Sequence, residues 1–346
     1  MLVSYFKGDR IIKARRDRRM KGRPEWQDIF PPSKDQREAW KVADEHERRF
    51  SAAFLQAVRE LLTPEDRKRF VKAWRSRSPR EVLNSLPLYA EGLTADDPVW
   101  KRFRDRIERA YAVIVEDSAN FAASEIKKRF GADYRFKLEK VTKQEAALQV
   151  EVVPVNPYAL DWIHNRATDL ILENVSGEQV QTITNIIEDA MSRGIRAGEV
   201  YDEIEANIGL TSRELLAVEN RGLKLEDEGY SPPEIRAIQE KYRGDLLKKR
   251  AARIARTETV AAQSAGRLST WRAAKDEGIL PEVERVWIAA PMSPNPNRPC
   301  EICLGLDGKT AELGEPYESE ILGTVESPPA HPHCRCTETI KKKGTA

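Results

Sequence analysis

Cysteine and histidine are scarce in this chain of 346 residues, which contains four of each. All four cysteines nevertheless lie in the last fifty positions, and the segment PPAHPHCRC, Pro328–Cys336, holds two cysteines and two histidines. The opening MLVSYFKGDR lacks the charged-then-apolar order of a signal peptide, so we expect synthesis in a cytoplasm and use there or inside a particle assembled there. In such a reducing setting, clustered cysteines bind metal more often than they form disulfides.

Long apolar runs and the common signatures of catalysis are also missing. No segment approaches the roughly 18 consecutive apolar residues of a membrane span, so we expect none. There is no glycine-rich phosphate loop and no candidate Ser-His-Asp set. These absences disfavour a membrane protein, a nucleotide-dependent enzyme and a serine hydrolase.

Net charge is small, at +2, but it hides a strongly basic segment near the start of the chain. The stretch from Lys7 to Arg23 carries nine basic side chains and two acidic ones. It is too polar to bury, and it is typical either of a flexible arm that touches phosphate or an acidic partner, or of a solvated tail. The candidate contact residues are Arg10, Lys13, Arg15, Arg16, Arg18, Arg19, Lys21 and Arg23.

Apolar residues recur at helical spacing over most of the chain after this arm. Helix starts are predicted at Thr63-Pro64, Asp97-Pro98, Thr211 and Ser231-Pro232, and Gly131 is a predicted left-handed helix end. We predict four parts: a basic arm and linker (1–35), an N-terminal helical module (36–155), a helical core (156–280) and a small β/loop segment with a metal site (281–346).

Short alternating runs predict the β structure. YRFKLEKV and ALQVEVVPV favour two strands or extended connectors, and VERVWIAA favours a strand after Gly278. Asp307-Gly308 predicts a tight hairpin turn. The predicted fold class is therefore mainly α, multi-helix, with a small β-containing C-terminal segment held by zinc.

The cysteines and histidines form two pairs with matching spacing. Cys300 and Cys303 are separated by two residues, and so are His331 and Cys334. A structural zinc ion takes four such ligands, commonly as two pairs, and a small segment with little apolar content gains most from it. The first choice of ligands is Cys300, Cys303, His331 and Cys334, with Cys336 as the alternative fourth ligand and His333 as a weaker candidate.

Three other readings of the cysteines remain. Two disulfides, or one disulfide with two free thiols, would suit an extracellular protein. A redox Cys-x-x-Cys is expected at a helix start beside a βαβ pattern, whereas a proline-rich loop precedes this one. A cysteine–histidine nucleophile needs an open, polarised site, which four converging thiols disfavour.

Glu258 interrupts an otherwise apolar stripe on the longest predicted helix. A buried carboxylate should be ion-paired, and Arg250, Arg253 and Arg256 are nearby. We predict a structural ion pair of Arg256 and Glu258. The catalytic reading of this pair lacks an accompanying histidine or second acid.

Several motifs follow one another in a specific order: NPYALDWIHNRATDLI, RAARIARTETVAAQSAGR, a tryptophan-bearing strand, CEICLGLDGKT and PPAHPHCRCT. Over roughly 156–340 this order resembles the phage Mu F-like minor head protein family. In this resemblance, 156–280 is a helical Mu F-like core. Family members usually have an aspartate shortly before the first cysteine, where this chain has Asn295 and Asn297.

The resemblance implies a structural component of the virion, present in few copies and bound to the portal vertex inside the head. Such a protein would act in head morphogenesis, DNA packaging or DNA ejection, and would be made in the host cytoplasm. The implied partners are the portal protein, a capsid or scaffolding protein, and packaged double-stranded DNA through the basic arm. No catalytic residue is predicted.

Two other functions compete with this one. An enzyme delivered with phage DNA, a transferase or hydrolase, would have to use the first 155 residues or the region of Arg256 and Glu258. A zinc-containing nucleic-acid-binding protein would need exposed basic or amide side chains on a recognition helix. The acidic stretch GKTAELGEPYESEILGTVES between the two ligand pairs argues against that second alternative, since it repels phosphate.

Overall fold

The computed structural model describes residues 34–88, 97–132, 138–140, 152–154, 157–174, 177–290 and 300–344. The basic arm residues, from Arg10 to Arg23, and Asn295 and Asn297 lie outside these ranges. Two compact units can be described separately. The helical unit comprises Ala43–Glu282, and the other unit comprises the described residues outside that range, of which those from Val283 onward are called the C-terminal unit.

Helices account for most of the described residues of the helical unit, and their starts follow the predicted capping residues. Thr63 and Thr211 each form a capping box with the acid three residues later, and Gly131 ends its helix at φ 71°. The helices are α1 (Lys34–Arg59), α2 (Pro64–Ala73), α3 (Pro79–Asn84), α4 (Pro98–Phe130), α5 (Pro157–Asn174), α6 (Gly177–Ser192), α7 (Ala197–Asn207), α8 (Ser212–Asp227) and α9 (Pro232–Asp276). Two three-residue strands, β1 (Leu138–Lys140) and β2 (Val152–Pro154), pair antiparallel where strands or extended connectors are predicted.

The centre of the helical unit is the close packing of α4 along α9. A Cβ added at Gly266 would lie 2.4 Å from the carbonyl oxygen of Val115 and 2.9 Å from Cβ of Ser118. Only a residue without a side chain allows the two backbones to approach so closely. Gly266 therefore sets the distance between the two longest helices of the unit.

A single apolar cluster runs through this unit from α1 to α9. Phe50, Phe54 and Tyr111 are completely buried in it, and Phe54 packs edge-on against Phe103 with ring centroids 5.9 Å apart. The helices of the predicted N-terminal module and of the predicted core share this cluster. The proposed boundary near residue 155 therefore does not mark a separate apolar core, and the four-part division remains a prediction.

Helix α9 has two different halves. Its 45 residues make a rod of roughly 68 Å at about 1.5 Å per residue. Buried residues begin at Arg250, and between Pro232 and Lys249 none is buried. The first half of α9 packs beside α8, where Gln239 donates a hydrogen bond to the carbonyl of Val218 at 3.0 Å. Only the second half is part of the core.

The C-terminal unit contains the remaining strands and one short helix. Its elements are β3 (Val283–Ile288), α10 (Glu301–Leu306), β4 (Thr310–Glu312), β5 (Tyr317–Ser319), β6 (Gly323–Val325) and β7 (Thr337–Lys342). Strand β3 lies between β4 and β7, and β5 pairs with β6; every pairing is antiparallel. Strand β3 is where VERVWIAA predicts it.

The prediction of a hairpin turn at Asp307-Gly308 is wrong. These residues connect α10 to β4, and Gly308 has a φ of 77°. The amide of Gly308 donates to the carbonyl of Trp287, and the Asp307 carboxylate accepts from the amide of Ala289, both at 2.9 Å. Through these hydrogen bonds the turn residues attach the end of α10 to the central strand β3. They do not connect two neighbouring strands of a hairpin.

A buried ion pair spans the sheet of the C-terminal unit. Arg285 on β3 donates to the Glu338 carboxylate on β7 at 2.9 Å, and both side chains are almost completely buried. Tyr317 donates to the same carboxylate oxygen at 2.9 Å, and the Arg285 guanidinium lies over its ring. The other Arg285 donors reach the backbone carbonyls of Glu312, Glu315 and Glu326. Such extensive bonding compensates the cost of burying two charges.

The observed architecture confirms the predicted fold class: mainly helical, with a small C-terminal β segment whose cysteine and histidine cluster is compatible with zinc. Among the described residues, no helix combines the length and the apolar character needed to span a membrane.

Candidate metal centre

The first two candidate ligands lie at the start of α10. Cys300 is the N-cap residue of this helix, and its sulfur accepts a hydrogen bond from the amide of Cys303 at 3.4 Å. The side chain of Cys303 points from the first turn into the apolar cluster, where it is 3% exposed. One helical turn thus directs two sulfurs to the same place.

His331 brings the second pair to the first. Its Nε2 lies 3.0 Å from the sulfur of Cys300 and 3.1 Å from that of Cys303. Its Nδ1 is 2.8 Å from the carbonyl oxygen of Pro332, which can only accept a hydrogen bond, so Nδ1 carries a proton. In the neutral ring Nε2 is then the free lone pair, as a metal-binding histidine requires.

Cys334 and Cys336 complete the cluster. The amide of Cys334 bonds to the carbonyl of His331, and this turn places the Cys334 sulfur 3.7 Å from the sulfur of Cys303. Cys336, which immediately precedes β7, donates its amide to the Cys334 sulfur at 3.5 Å. Both thiols are buried, with 1% and 2% of these residues exposed.

The donor set fits a tetrahedral ion of the size of zinc. Zinc–sulfur bonds of ~2.3 Å place two sulfurs of a tetrahedron ~3.8 Å apart, close to the 3.7 Å between Cys303 and Cys334. The five donor atoms form two overlapping groups of three, Cys300–Cys303–His331 and Cys303–Cys334–Cys336, each within 4.8 Å. Cys303 belongs to both groups and is therefore the central ligand candidate. A single ion would select four donors from the five.

Electrostatics within the cluster favours a cation. The hydrogen bond with Cys303 lowers the pKa of the Cys300 thiol to about 4 and that of Cys334 to about 3. The pKa of Cys303 is raised, chiefly by its hydrogen bonds with Cys300 and Cys334. The hydrogen bond with Cys300 raises the pKa of His331 to about 9. Without a metal, hydrogen bonds thus link the donor atoms to one another. A divalent ion would displace the protons of these hydrogen bonds when it binds.

The remaining sequence candidates are placed less favourably. His333 is exposed, has a φ of 66°, and belongs to neither group of donor atoms. All four cysteines are free thiols, so the structure offers no support for the disulfide reading. Three of the four thiols are buried, which disfavours a nucleophile that must meet a substrate.

The prediction that Arg256 and Glu258 pair with each other is wrong. Arg256 forms an ion pair with Glu47 on α1 at 3.3 Å. Glu258 accepts hydrogen bonds from Arg166 on α5 and from the Tyr111 hydroxyl on α4, each at 2.7 Å. Residues two apart on a helix point to nearly opposite sides, so Arg256 and Glu258 cannot meet.

The actual surroundings of Glu258 favour a structural role. Its side chain is 3% exposed, and both of its carboxylate oxygens accept from Arg166. The carboxylate therefore ties α9 to α4 and α5 within the core, where no substrate can reach it. Tyr111 and Arg166 escaped the sequence prediction because neither lies near Glu258 in the chain; the one available signal was the position of a carboxylate on an apolar helix face.

The comparisons with known proteins single out one family. Residues 181–339 match the family described as Phage Mu protein F like protein. This span begins within α6, contains the whole of α9 and includes all five candidate metal ligands. No curated protein and no solved structure gives a significant match. The family is one of phage head morphogenesis. This match confirms the resemblance inferred from the ordered motifs: residues 181–339 are similar to the phage Mu F-like head protein family.

Proposed function

We propose that this protein is a structural minor head protein of a tailed phage, bound to the portal vertex inside the head. The observation that carries the proposal is the family match over 181–339, a range that contains both the long helix α9 and the cysteine cluster. In this role the protein acts in head morphogenesis, DNA packaging or DNA ejection, with capsid or scaffolding protein as a further partner. Its place in the phage is the virion, after synthesis in the host cytoplasm.

The metal centre has a structural part in this proposal. Zinc is held by Cys300, Cys303, His331 and Cys334, and Cys336 is the alternative to Cys334 as the fourth ligand. The support is geometric: these side chains converge on Cys303, and the backbone orients His331 with Nε2 toward the sulfurs. When bound, zinc would link the start of α10 to the segment before β7.

Co-expression with the portal protein of the same phage tests the proposal. We expect the two proteins to co-sediment, with about one zinc per chain in the complex. A matched control is His333→Ala, which changes an exposed residue outside the donor groups and should leave both complex and zinc unaffected. A chain that carries zinc but does not bind the portal protein would contradict the portal role. The proposal of a zinc site would be unaffected by that result.

The basic arm supplies a contact to packaged DNA or to an acidic portal surface in this proposal. A version starting at Glu25 lacks all nine basic residues of the segment Lys7–Arg23. We expect it to bind double-stranded DNA more weakly, with a smaller dependence of the affinity on salt, because fewer phosphate counterions are released. Filter binding at several salt concentrations measures both quantities; unchanged binding by the shortened chain would remove the DNA role of the arm.

A further inference from the structure

Helices α6, α7 and α8 enclose an open groove that the metal centre does not involve. Its volume is about 520 Å³. Ile186 and Ala190 of α6 and Leu215 of α8 form apolar walls, and Leu216 lies at the mouth with 55% of its surface exposed. A groove of this size is large enough for two or three side chains of a partner, since small-ligand sites span roughly 300–1,000 Å³.

The groove is bordered by more negative than positive charge. Asp189, Glu203 and Glu219 line it together with one arginine, Arg193. Arg193 is neutralised by Asp189 at 3.0 Å, and Glu203 lies 3.9 Å from Arg243. Within the described part of the chain, Glu219 has no ion-pair partner. The surface is therefore suited to a positively charged partner, and it repels phosphate.

One stripe of α8 extends the groove. Ser212, Leu216, Glu219 and Leu223 follow one another at spacings of four, three and four, so they lie on one side of the helix. Leu223 is 61% exposed. The Ser212 hydroxyl oxygen is buried in the lining and makes no hydrogen bond within the residues that the structure describes. Two exposed leucines with a carboxylate between them, beside a buried hydroxyl lacking a partner, are typical of a binding surface.

We propose that this groove binds a basic amphipathic helix of another protein. Leu216 and Leu223 are ~10.5 Å apart along the helix axis, seven residues at about 1.5 Å each. A partner helix that presents two apolar side chains seven residues apart matches this distance, and a lysine or arginine between them meets Glu219. Helix-in-groove recognition uses anchors at this spacing. The proposal goes beyond the head role and does not depend on it.

A designed pair of peptides tests the chemistry of the partner. Each is a labelled helical peptide of about 15 residues, the length at which an isolated helix becomes measurable in water, with two leucines seven apart. One carries lysines between the leucines and the other carries glutamates. Fluorescence anisotropy with the full chain should show binding of the lysine peptide in the micromolar range, weakened at least about tenfold when glutamate replaces lysine.

Variants of the full chain locate the binding. Leu216→Ala should weaken binding of the lysine peptide at least about tenfold, as expected of an anchor residue. Val113→Ala, which alters another exposed apolar residue, on α4, should have no effect. Glu219→Lys should exchange the preference, so that the glutamate peptide binds more tightly than the lysine peptide. This gain of binding cannot come from unfolding.

Three results overturn the assignment. The first is no binding of the lysine peptide at protein concentrations up to about 1 mM. At that concentration a binding free energy of only ~4 kcal/mol in magnitude would be detected. The second is binding that Leu216→Ala and Glu219→Lys leave unchanged. The third is self-association that Leu216→Ala abolishes in sedimentation velocity, because a second copy of this chain would then be the occupant.

Discussion

The helical unit and the C-terminal unit are stabilised in different ways. The helical unit has an extensive apolar cluster from α1 to α9, and the Glu258 ion pair lies inside it. In the cluster of the C-terminal unit, three of the eight buried residues are cysteines. Small units that cannot build a sufficient apolar core commonly depend on a metal or on disulfides. We therefore expect removal of a metal to affect the C-terminal unit and to leave the helical unit folded.

Loss of the central thiol should give the largest effect. Cys303→Ser removes the one donor shared by both groups of ligand atoms, and we expect loss of the metal and unfolding of the C-terminal unit. The helical unit should remain folded, because its core contains none of these residues. Metal analysis measures the loss of zinc. Near-ultraviolet circular dichroism, to which Trp287 contributes, reports on the C-terminal unit, and far-ultraviolet dichroism reports on the helices. A simultaneous loss of the helical far-ultraviolet signal would show that the helical unit also depends on these ligands.

Removal of the buried charge of Glu258 in the helical unit should have the second-largest effect. Glu258→Gln leaves the Arg166 guanidinium without its ionised partner, and we expect a loss of about 3 kcal/mol in the free energy of unfolding. Urea denaturation followed by helical dichroism measures this loss, and the zinc content should be unchanged. The control Lys68→Ala breaks an exposed ion pair with Glu65 and should cost less than about 0.5 kcal/mol. Equal effects of the two variants would show that Glu258 does not stabilise the core.

Two glycines of α9 provide a matched pair. Gly266→Ala should destabilise the helical unit by about 1–3 kcal/mol, because the new methyl group meets the backbone of α4. Gly244→Ala, at a position with nothing within 4 Å, should stabilise it by up to about 1 kcal/mol through helix propensity. The urea midpoints should therefore move in opposite directions. Shifts of the same sign would mean that α4 and α9 are not packed as described.

The smallest effect should come from a helix cap. Thr63 accepts from the amide of Asp66 and its own amide donates to that carboxylate, so Thr63→Ala removes one side of the capping box. We expect a loss of about 1 kcal/mol in the helical unit and no change in zinc content. A larger loss from Thr63→Ala than from Glu258→Gln would reverse the order expected of surface and core interactions.

Local features of this fold were predictable because they depend on residues a few positions apart. Thr63, Thr211 and Gly131 mark helix ends by hydrogen bonds and backbone geometry within one turn, and the structure has those ends where they were predicted. The approach of Cys300 to His331 was predictable from a second kind of signal, the repeated two-residue spacing of metal-binding side chains.

Partners distant in sequence were not predictable. Glu258 binds Arg166, 92 residues away, in preference to the arginines on its own helix. Arg285 and Glu338 meet across the sheet, 53 residues apart, and nothing in the strand pattern marks either one. The failure at Arg256, however, was avoidable, since a separation of two residues already excludes a pair on one helix face. The Asp307-Gly308 turn was not predictable from the dipeptide alone, because it follows the short helix α10 and precedes β4.

Native mass spectrometry of the full chain, before and after treatment with a chelator, tests the central claim most directly. We expect a mass that exceeds the apo chain by one zinc ion, lost on chelation together with increased hydrogen exchange confined to residues 283–344. A chain that carries no metal, or whose C-terminal residues exchange no faster after the metal is removed, would contradict the claim that a metal stabilises the C-terminal unit.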